Sequence, residues 1–455
     1  MSIGAEVYLW GTRIGTVVQE ERHSIPIFKY DNAFTRSGIE VSPLMMPLSN
    51  AVYTFPELRE ETFYGLPGLL ADSLPDKFGT KLIDSYLSRL GRDGKQLSAV
   101  ERLCYVGSRG MGALEFRPQI GLESVDREID IDSLAKLADQ VLADRKDIKV
   151  QANDEAMGQL LKIGTSAGGA RAKALIAWNE EKKDIRSGQI DAGEGYGYWL
   201  LKFGTIANNK DKDVESDHIE YSKIEYAYSL MAKDAGIDMT ECRLIKSAEG
   251  LHFMTRRFDR DKDNGKKIHM QSLGGLAHFD FNLPGMHSYE EAASIMRKLG
   301  LSHSDVEQLY RRMVFNEVAK NYDDHVKNIS FLMNKEGKWS LAPAYDMTFS
   351  YNPGSMWTSS HQMLINGKKD GVSLHDLRET GKSMNLAQRR IEVIIQEVVS
   401  VVREWPKYAD FVELPESVAK WIEGYHMYSE HCIGYHAKTD VLDMQRGKGT
   451  SYIEL

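Results

Sequence analysis

At 455 residues the chain is too long to share one hydrophobic core, so two large or three smaller folding units are expected. Hydrophobic residues make up 42% and charged residues 27%, a globular composition that excludes disorder throughout. A formal net charge of −9 argues against a surface that grips nucleic acid all over, while leaving room for a local basic patch.

Cys104, Cys242 and Cys432 are odd in number and widely spaced, without a CxxC pair. That usage points to a reducing compartment and away from a cysteine-rich zinc site. No apolar run approaches the ~20 residues needed to cross a bilayer, and MSIGAEVYLWG has neither a basic leader nor a long apolar core. A soluble, cytoplasmic chain without membrane contact is expected.

In chain order, AEVYLWGTRIGTVV, punctuated by Gly11 and Gly15, predicts a hairpin or meander within a first unit of short strands and turns, residues 1–120. A helix is expected from Pro75, with Gly91 as its stop. YVGSRGMGALEFRP reads either as a glycine-rich ligand loop or as a turn-rich link into a strand. A second unit, 121–240, opens with a helix from Ile131 and a charged connection to Lys149. LKIGTSAGGARAKALIAW then sets a glycine turn before an apolar run. KKDIRSGQIDAGEG is a polar connection, YGYWLLKF a short strand, and HIEYSKIEYAYSLMAKDAGI a helix ending near Gly236. The third unit, 241–455, is mainly helical from Ser288. SYEE predicts a capping box of Ser288 and Glu291, and SDVE a second one of Ser304 and Glu307. NLAQRRIEVIIQEVVSVVREW is a helix stopped before Pro406, held by packing because its β-branched residues lower helix propensity.

The densest polar chemistry is NYDDHVKN, residues 321–328. Taken alone it fits an exposed turn, a metal-dependent phosphoesterase or a catalytic loop. Phosphoryl transfer from ATP needs a carboxylate near the acceptor hydroxyl, oxygen ligands for a metal on the phosphates, a cation for the triphosphate and a glycine-rich cover. Asp323 and Asn328 have the five-residue separation of a kinase base and metal ligand. ISFLMNKEGKWSLAPAYDM predicts strand, turn, strand and then Asp346, so Asn328 and Asp346 are candidate Mg2+ ligands. Lys327 is placed to neutralise charge on the transferred group and His325 to hold the loop; Asp324 either tunes the field or only supports the loop. Upstream, Ser166, Ala167, Gly168, Gly169 and Ala170 form a candidate phosphate loop. Lys202 with helical Glu225 resembles the lysine–glutamate pair that holds ATP phosphates.

The ordered set SAGGARAK, YWLLK, RRFDR, NYDDHVKN and LAPAYD resembles the HipA family of serine/threonine protein kinases, the toxins of type II toxin–antitoxin systems. The resemblance covers most of the chain and is strongest over residues 160–350. It implies an α+β fold: a divergent two-lobed protein kinase with an added N-terminal β-rich subdomain and a large helical C-terminal lobe. It carries the family's nucleotide lysine onto Lys202, its catalytic aspartate onto Asp323, and its metal ligands onto Asn328 and Asp346. Ser166 falls on the autophosphorylated serine, where a phosphate would repel those of ATP. Phe258 falls near the adenine hinge, either touching the base or packing the hinge.

The chain also departs from the family. Arg256 replaces the usual glutamate before RFDR, HMQSLGGLAH at 269–278 replaces an acidic, cysteine-containing motif, and Arg171 and Ala172 precede Lys173 in the glycine loop. The resemblance further implies a small helix-turn-helix antitoxin, operator DNA bound through it, and a protein substrate such as an aminoacyl-tRNA synthetase or another translation component. The alternatives are a small-molecule phosphotransferase and a kinase-like co-repressor acting through its partner.

Overall fold

The computed structural model describes residues 2–21, 24–89, 91, 97–120, 129–142, 171–189, 191–204, 220–427 and 453–454. Alternation of apolar and polar residues builds the first sheet. In β1 (Ile3–Leu9), Ala5, Val7 and Leu9 share one buried face. The chain returns into β2 (Thr12–Gln19) through Trp10 and Gly11, both at positive φ, as a two-residue turn matched to the strand twist requires. Gly15 is not part of that turn. It lies inside β2, where an added Cβ would come within 2.6 Å of the Phe28 ring. β3 (Ile27–Tyr30) and β4 (Val52–Tyr53) extend the sheet on one side and β5 (Leu114–Arg117) on the other, in the order β4-β3-β2-β1-β5. The predicted helix after Pro75 spans Lys77–Arg89, and Gly91 follows it at φ 71°.

A second sheet follows, with β6 (Lys173–Asn179), β7 (Asp184–Ser187), β8 (Gly197–Lys202), β9 (Cys242–Ser247) and β10 (Gly250–Arg256) in the order β9-β10-β8-β6-β7. β7 corrects the expected polar connection. Ile185 and Ser187 are buried while Asp184 and Arg186 are partly exposed, and four residues of alternation are easily masked by the charged flanks. The helix Tyr221–Asp234 follows the strand bearing Lys202, as expected, and packs on β9 and β10. The sheet thus continues past residue 240.

A small third sheet holds β11 (His269–Ser272), β12 (Ser330–Met333) and β13 (Trp339–Leu341), with Gly337 closing the NKEG turn at φ 78°. β14 (Ile453–Glu454) pairs in parallel with β9.

The segment 269–278 joins the first unit to the rest. Ser272 donates from its backbone N and its Oγ to Asp72, at 2.5 and 2.7 Å, and the Gly68 amide donates to His278 Nε2 at 2.9 Å. Gly68 must be glycine here, because a Cβ would stand 2.0 Å from the Gly275 carbonyl oxygen.

The remaining helices enclose the largest core. Tyr289–Lys298 begins with the predicted Ser288–Glu291 capping box. The next box is Ser302–Asp305 rather than Ser304–Glu307, starting helix His303–Val318 two residues earlier; Glu307 instead reaches Arg390 at 2.8 Å. Either serine satisfies the local spacing; in the helix capped by Ser302, Val306, Leu309 and Met313 are buried in the core. Gln388–Arg403 buries Ile391, Ile394, Ile395, Val398, Val399 and Val402 along one stripe, and Pro406 lies in the first turn of the following helix, Trp405–Phe411. Among the described residues no helix is long and apolar enough to cross a membrane.

Candidate functional site

Lys202 ends β8 and Glu225 lies in the following helix, so the sheet and its helix meet at this pair. Lys202 Nζ is 2.5 Å from Glu225 Oε1 and also forms an ion pair with Asp346 Oδ1. Burial would discharge the ammonium, but Asp346 and Glu225 outweigh it and raise the Lys202 pKa. Burial likewise pushes Asp346 up, yet the Lys202 charge and hydrogen bond bring its carboxyl down to about 2. Asp346 has φ 53°, a left-handed conformation that a non-glycine residue holds only when its surroundings impose it. Arg171 adds a second cation near Glu225 at 3.6 Å, with its guanidinium 4.4 Å above the Tyr221 ring.

The sheet brings a second lysine to this face. Lys173, the first residue of β6, is the direct cross-strand partner of Lys202, so both side chains leave the same side of the sheet. Its Nζ is 2.7 Å from Asp76, which accepts a hydrogen bond from the Gly79 amide at the start of helix Lys77–Arg89. Burial pushes the Asp76 carboxyl up and Lys173 only partly offsets it. In sequence Lys173 reads only as the end of the glycine loop SAGGARAK. The available signal was a lysine opening the otherwise apolar strand KALIAWN. Ser166, Ala167, Gly168, Gly169 and Ala170 lie outside the described residues.

The adjacent aspartates of NYDDHVKN point in opposite directions. The Asp323 side chain is 46% exposed, with its carboxylate 3.8 Å from His325, while its backbone carbonyl accepts from Asn328 Nδ2 at 2.7 Å. That bond spans the turn Val326–Asn328 and fixes the five-residue spacing in space. Among the described residues no donor reaches Asn328 Oδ1. Asp324 is buried. It accepts from Tyr289 Oη at 2.8 Å and the Gln362 amide at 2.7 Å, and faces His361 Nδ1 at 2.7 Å. His361 Nε2 in turn meets Glu317 at 2.7 Å.

Loop and strand are tied together beside Asp346. Tyr345 donates to the Lys327 carbonyl at 2.5 Å and stands 2.5 Å from Ser330 Oγ. Phe258 packs against the Tyr345 ring at 5.4 Å. Lys327 Nζ lies 4.6 Å from the centre of the Phe281 ring, and His325 tilts against the same ring at 5.9 Å. In RRFDR, Arg256 pairs with Glu241 at 3.3 Å, while Arg257 and Asp259 form a buried pair at 2.7 Å. Gly112 of YVGSRGMG donates its amide to Asp259 at 2.8 Å, so this segment links the first sheet to RRFDR.

Lys202, Glu225 and Asp346 are thus in direct contact, and Asp323 and Asn328 share one clamped loop. Asp76, Glu317 and His361 were missed, because Asp76 is far in sequence from Lys173 and Glu317 from His361, and none has a local signature. Among the described residues there is no cluster of three His, Cys, Asp or Glu side chains able to hold a metal ion. The donor set of one ionised carboxylate and one amide oxygen instead suits a hard cation that takes its remaining ligands from phosphate and water.

An α+β chain that joins a lysine–glutamate–aspartate cluster to a clamped aspartate loop has the parts of a kinase-like fold. Residues 165–405 match the HipA-like C-terminal domain and residues 5–117 the HipA N-terminal domain, and the chain belongs to the HipA family. A chain of the Shewanella oneidensis HipA, HipB and operator DNA complex superposes with a TM-score of 0.62, at 17% identity over 92% of this chain and 94% of that one. A Haemophilus influenzae protein named "Putative kinase" is 30% identical over 135 residues, covering 27% of this chain and 39% of the relative. "Putative kinase Y4dM" of Sinorhizobium fredii is 25% identical over 197 residues, covering 39% and 46%. The chain therefore aligns with less than half the length of these curated relatives.

Proposed function

We propose that the chain is an ATP- and Mg2+-dependent serine/threonine protein kinase acting as the toxin of a toxin–antitoxin pair. The observation that carries this reading is Lys202 bonded to both Glu225 and Asp346 beside a loop that holds Asp323 exposed. Lys202 exchanges Asp346 for phosphate oxygens when ATP enters, while Glu225 keeps the ammonium in place. Asp346 and Asn328 are the oxygen ligands for Mg2+, which supplies charge neutralisation on the phosphates. Asp323 accepts the proton of a Ser or Thr hydroxyl; the Oγ–P bond forms as the bond to the β–γ bridging oxygen breaks, and ADP leaves. Lys327 lies on the same turn, able to offset charge on the transferred group, and His325 braces the loop. Phe258, already packed on Tyr345, serves the hinge.

Autophosphorylation of Ser166 is part of the proposal, as self-inhibition by a dianion where ATP phosphates bind. The family and the named complex support a helix-turn-helix antitoxin partner, with operator DNA reached through it. A translation component, for instance an aminoacyl-tRNA synthetase, is the proposed acceptor.

The test begins with intact mass, to establish the starting phosphorylation state. Purified protein is then incubated with labelled ATP and Mg2+, followed by peptide mass spectrometry, beside Asp323→Ala and Lys202→Ala. Label on Ser166 that is absent from both variants is the expected result. A protein that neither binds ATP nor transfers phosphate under several metal conditions overturns catalysis, and label found only on a small metabolite replaces the protein acceptor with a small-molecule one.

A further inference from the structure

Two neighbouring aspartates with opposite fates need a device that tells them apart, and the structure holds one beneath the loop. Asp324 is fully engaged by Tyr289 Oη, the Gln362 amide and His361 Nδ1 at 2.8, 2.7 and 2.7 Å. Beyond the ring, Glu317 Oε2 receives His361 Nε2 at 2.7 Å and Tyr322 Oη at 2.9 Å, while Glu317 Oε1 pairs with Lys320 at 2.9 Å. Asn316 donates to Tyr289 Oη at 3.0 Å, closing the network on the helix side. His361 is 0% exposed and both carboxylates are nearly so. A carboxylate only accepts, so an imidazole between two of them satisfies both only when each ring nitrogen carries a proton.

We infer that His361, clasped between Asp324 and Glu317, is a positioning residue that locks Asp324 inward and so presents Asp323 alone to the acceptor hydroxyl. The lock spans three separate parts of the chain: helix His303–Val318 through Glu317, the loop through Asp324 and Tyr322, and the segment after Asp346 through His361 and Gln362. Because His361 lies fifteen residues beyond Asp346, the same bracket sets the path of the chain that leaves the proposed metal ligand. None of these bonds needs to break for nucleotide to enter.

The ionised state is consistent with the surroundings. Burial lowers the His361 pKa, but Asp324 and Glu317 raise it to about 9. The groups that face the ring are Asp324 and Glu317, with Lys320 behind Glu317, the Tyr322 ring at 4.2 Å, and Tyr289 on the far side of Asp324. Arg312 adds a weaker positive charge near Tyr289.

This inference rests on the kinase reading, and its test separates the two. In His361→Gln, kcat is expected to fall on the order of 10²-fold, because a misplaced general base costs about that much, while the Kd for ATP–Mg2+ stays within about threefold. The wild-type kcat should decline as pH rises through about 9, with that limb lost in His361→Gln. In Asp324→Asn the limb should move down by about one pH unit or more. Imidazole NMR of the full chain without nucleotide should show the His361 resonance titrating near 9, and hydrogen exchange should find the amides of 322–328 faster in Asp324→Asn.

A folded His361→Gln with wild-type kcat overturns the proposal, as does a variant that keeps the wild-type alkaline limb or a His361 resonance that titrates below 7. If His361→Gln does not fold, Asp324→Asn and the wild-type titration decide. If the protein transfers no phosphate at all, the kinase reading fails, and the NMR titration and exchange rates then judge the bracket by themselves.

Discussion

The two halves of the site hold their charges in opposite ways. On the sheet side, Lys202 leans on Asp346 and Lys173 on Asp76, pairings in which, under the proposed function, the phosphates of ATP would replace the carboxylate. On the helical side, Asp324, His361 and Glu317 close on one another, so no ligand has to compete for them. On the proposed kinase reading, the difference separates groups that are released for binding from groups that stay fixed for chemistry. Electrostatic preorganisation requires the second kind and substrate capture the first.

The largest effect should come from removing one group on each side. Asp323→Ala is expected to lower phosphoryl transfer by about 10³-fold while leaving the Kd for ATP–Mg2+ nearly unchanged, whereas Lys202→Ala should lose both rate and affinity. Initial rates and calorimetry on the two variants read this directly. Equal loss of ATP affinity in both would erase the contrast between capture and chemistry.

Lys202→Met should also destabilise the nucleotide-free protein by about 3 kcal/mol in urea unfolding, because Glu225 would remain buried with only the longer Arg171 contact. Asp76→Asn should destabilise it by a smaller amount, about 2 kcal/mol, by leaving Lys173 buried beside a neutral partner. Added ATP–Mg2+ should then raise the Tm of Asp76→Asn more than that of the wild type, since Lys173 no longer has a carboxylate to give up. An identical ligand-induced rise would show that the Lys173–Asp76 pair is permanent, like the helical network.

The histidines offer a sharper version of the comparison. His361 has its folded pKa raised to about 9, so its contribution to stability is complete below the unfolded value of about 6.5 and is lost as pH rises through 9. Burial instead lowers His252, His269 and His278 to about 4 and His426 to about 3. Their contribution is present above about 6.5 and is lost as pH falls toward those values. Urea unfolding between pH 5 and 9.5 should therefore show a stability maximum near neutrality, with His361→Gln flattening only the alkaline side. Loss of the acidic side in that variant would assign the wrong histidine.

The smallest effect tests a local correction on the helical side. Ser302→Ala should cost about 1 kcal/mol and Ser304→Ala about a quarter of that or less, because Ser302 is the residue that caps the helix. Thermal unfolding distinguishes the two, and the reverse order would restore the Ser304 cap.

What the sequence determined by itself was local or periodic: the β1–β2 hairpin, the strand ending at Lys202, the helix bearing Glu225, and the strand–turn–strand that delivers Asp346. The five-residue spacing of Asp323 and Asn328 was legible too, because one side-chain-to-backbone bond within the loop enforces it. Register and burial are not written locally. Only the tertiary structure set Lys173 opposite Lys202, brought Asp76 to it from the first unit, and placed His361 between Asp324 and Glu317. It also turned two adjacent, chemically identical aspartates in opposite directions, since burial of one carboxylate depends on donors from Tyr289, His361 and Gln362, all more than thirty residues away in the chain.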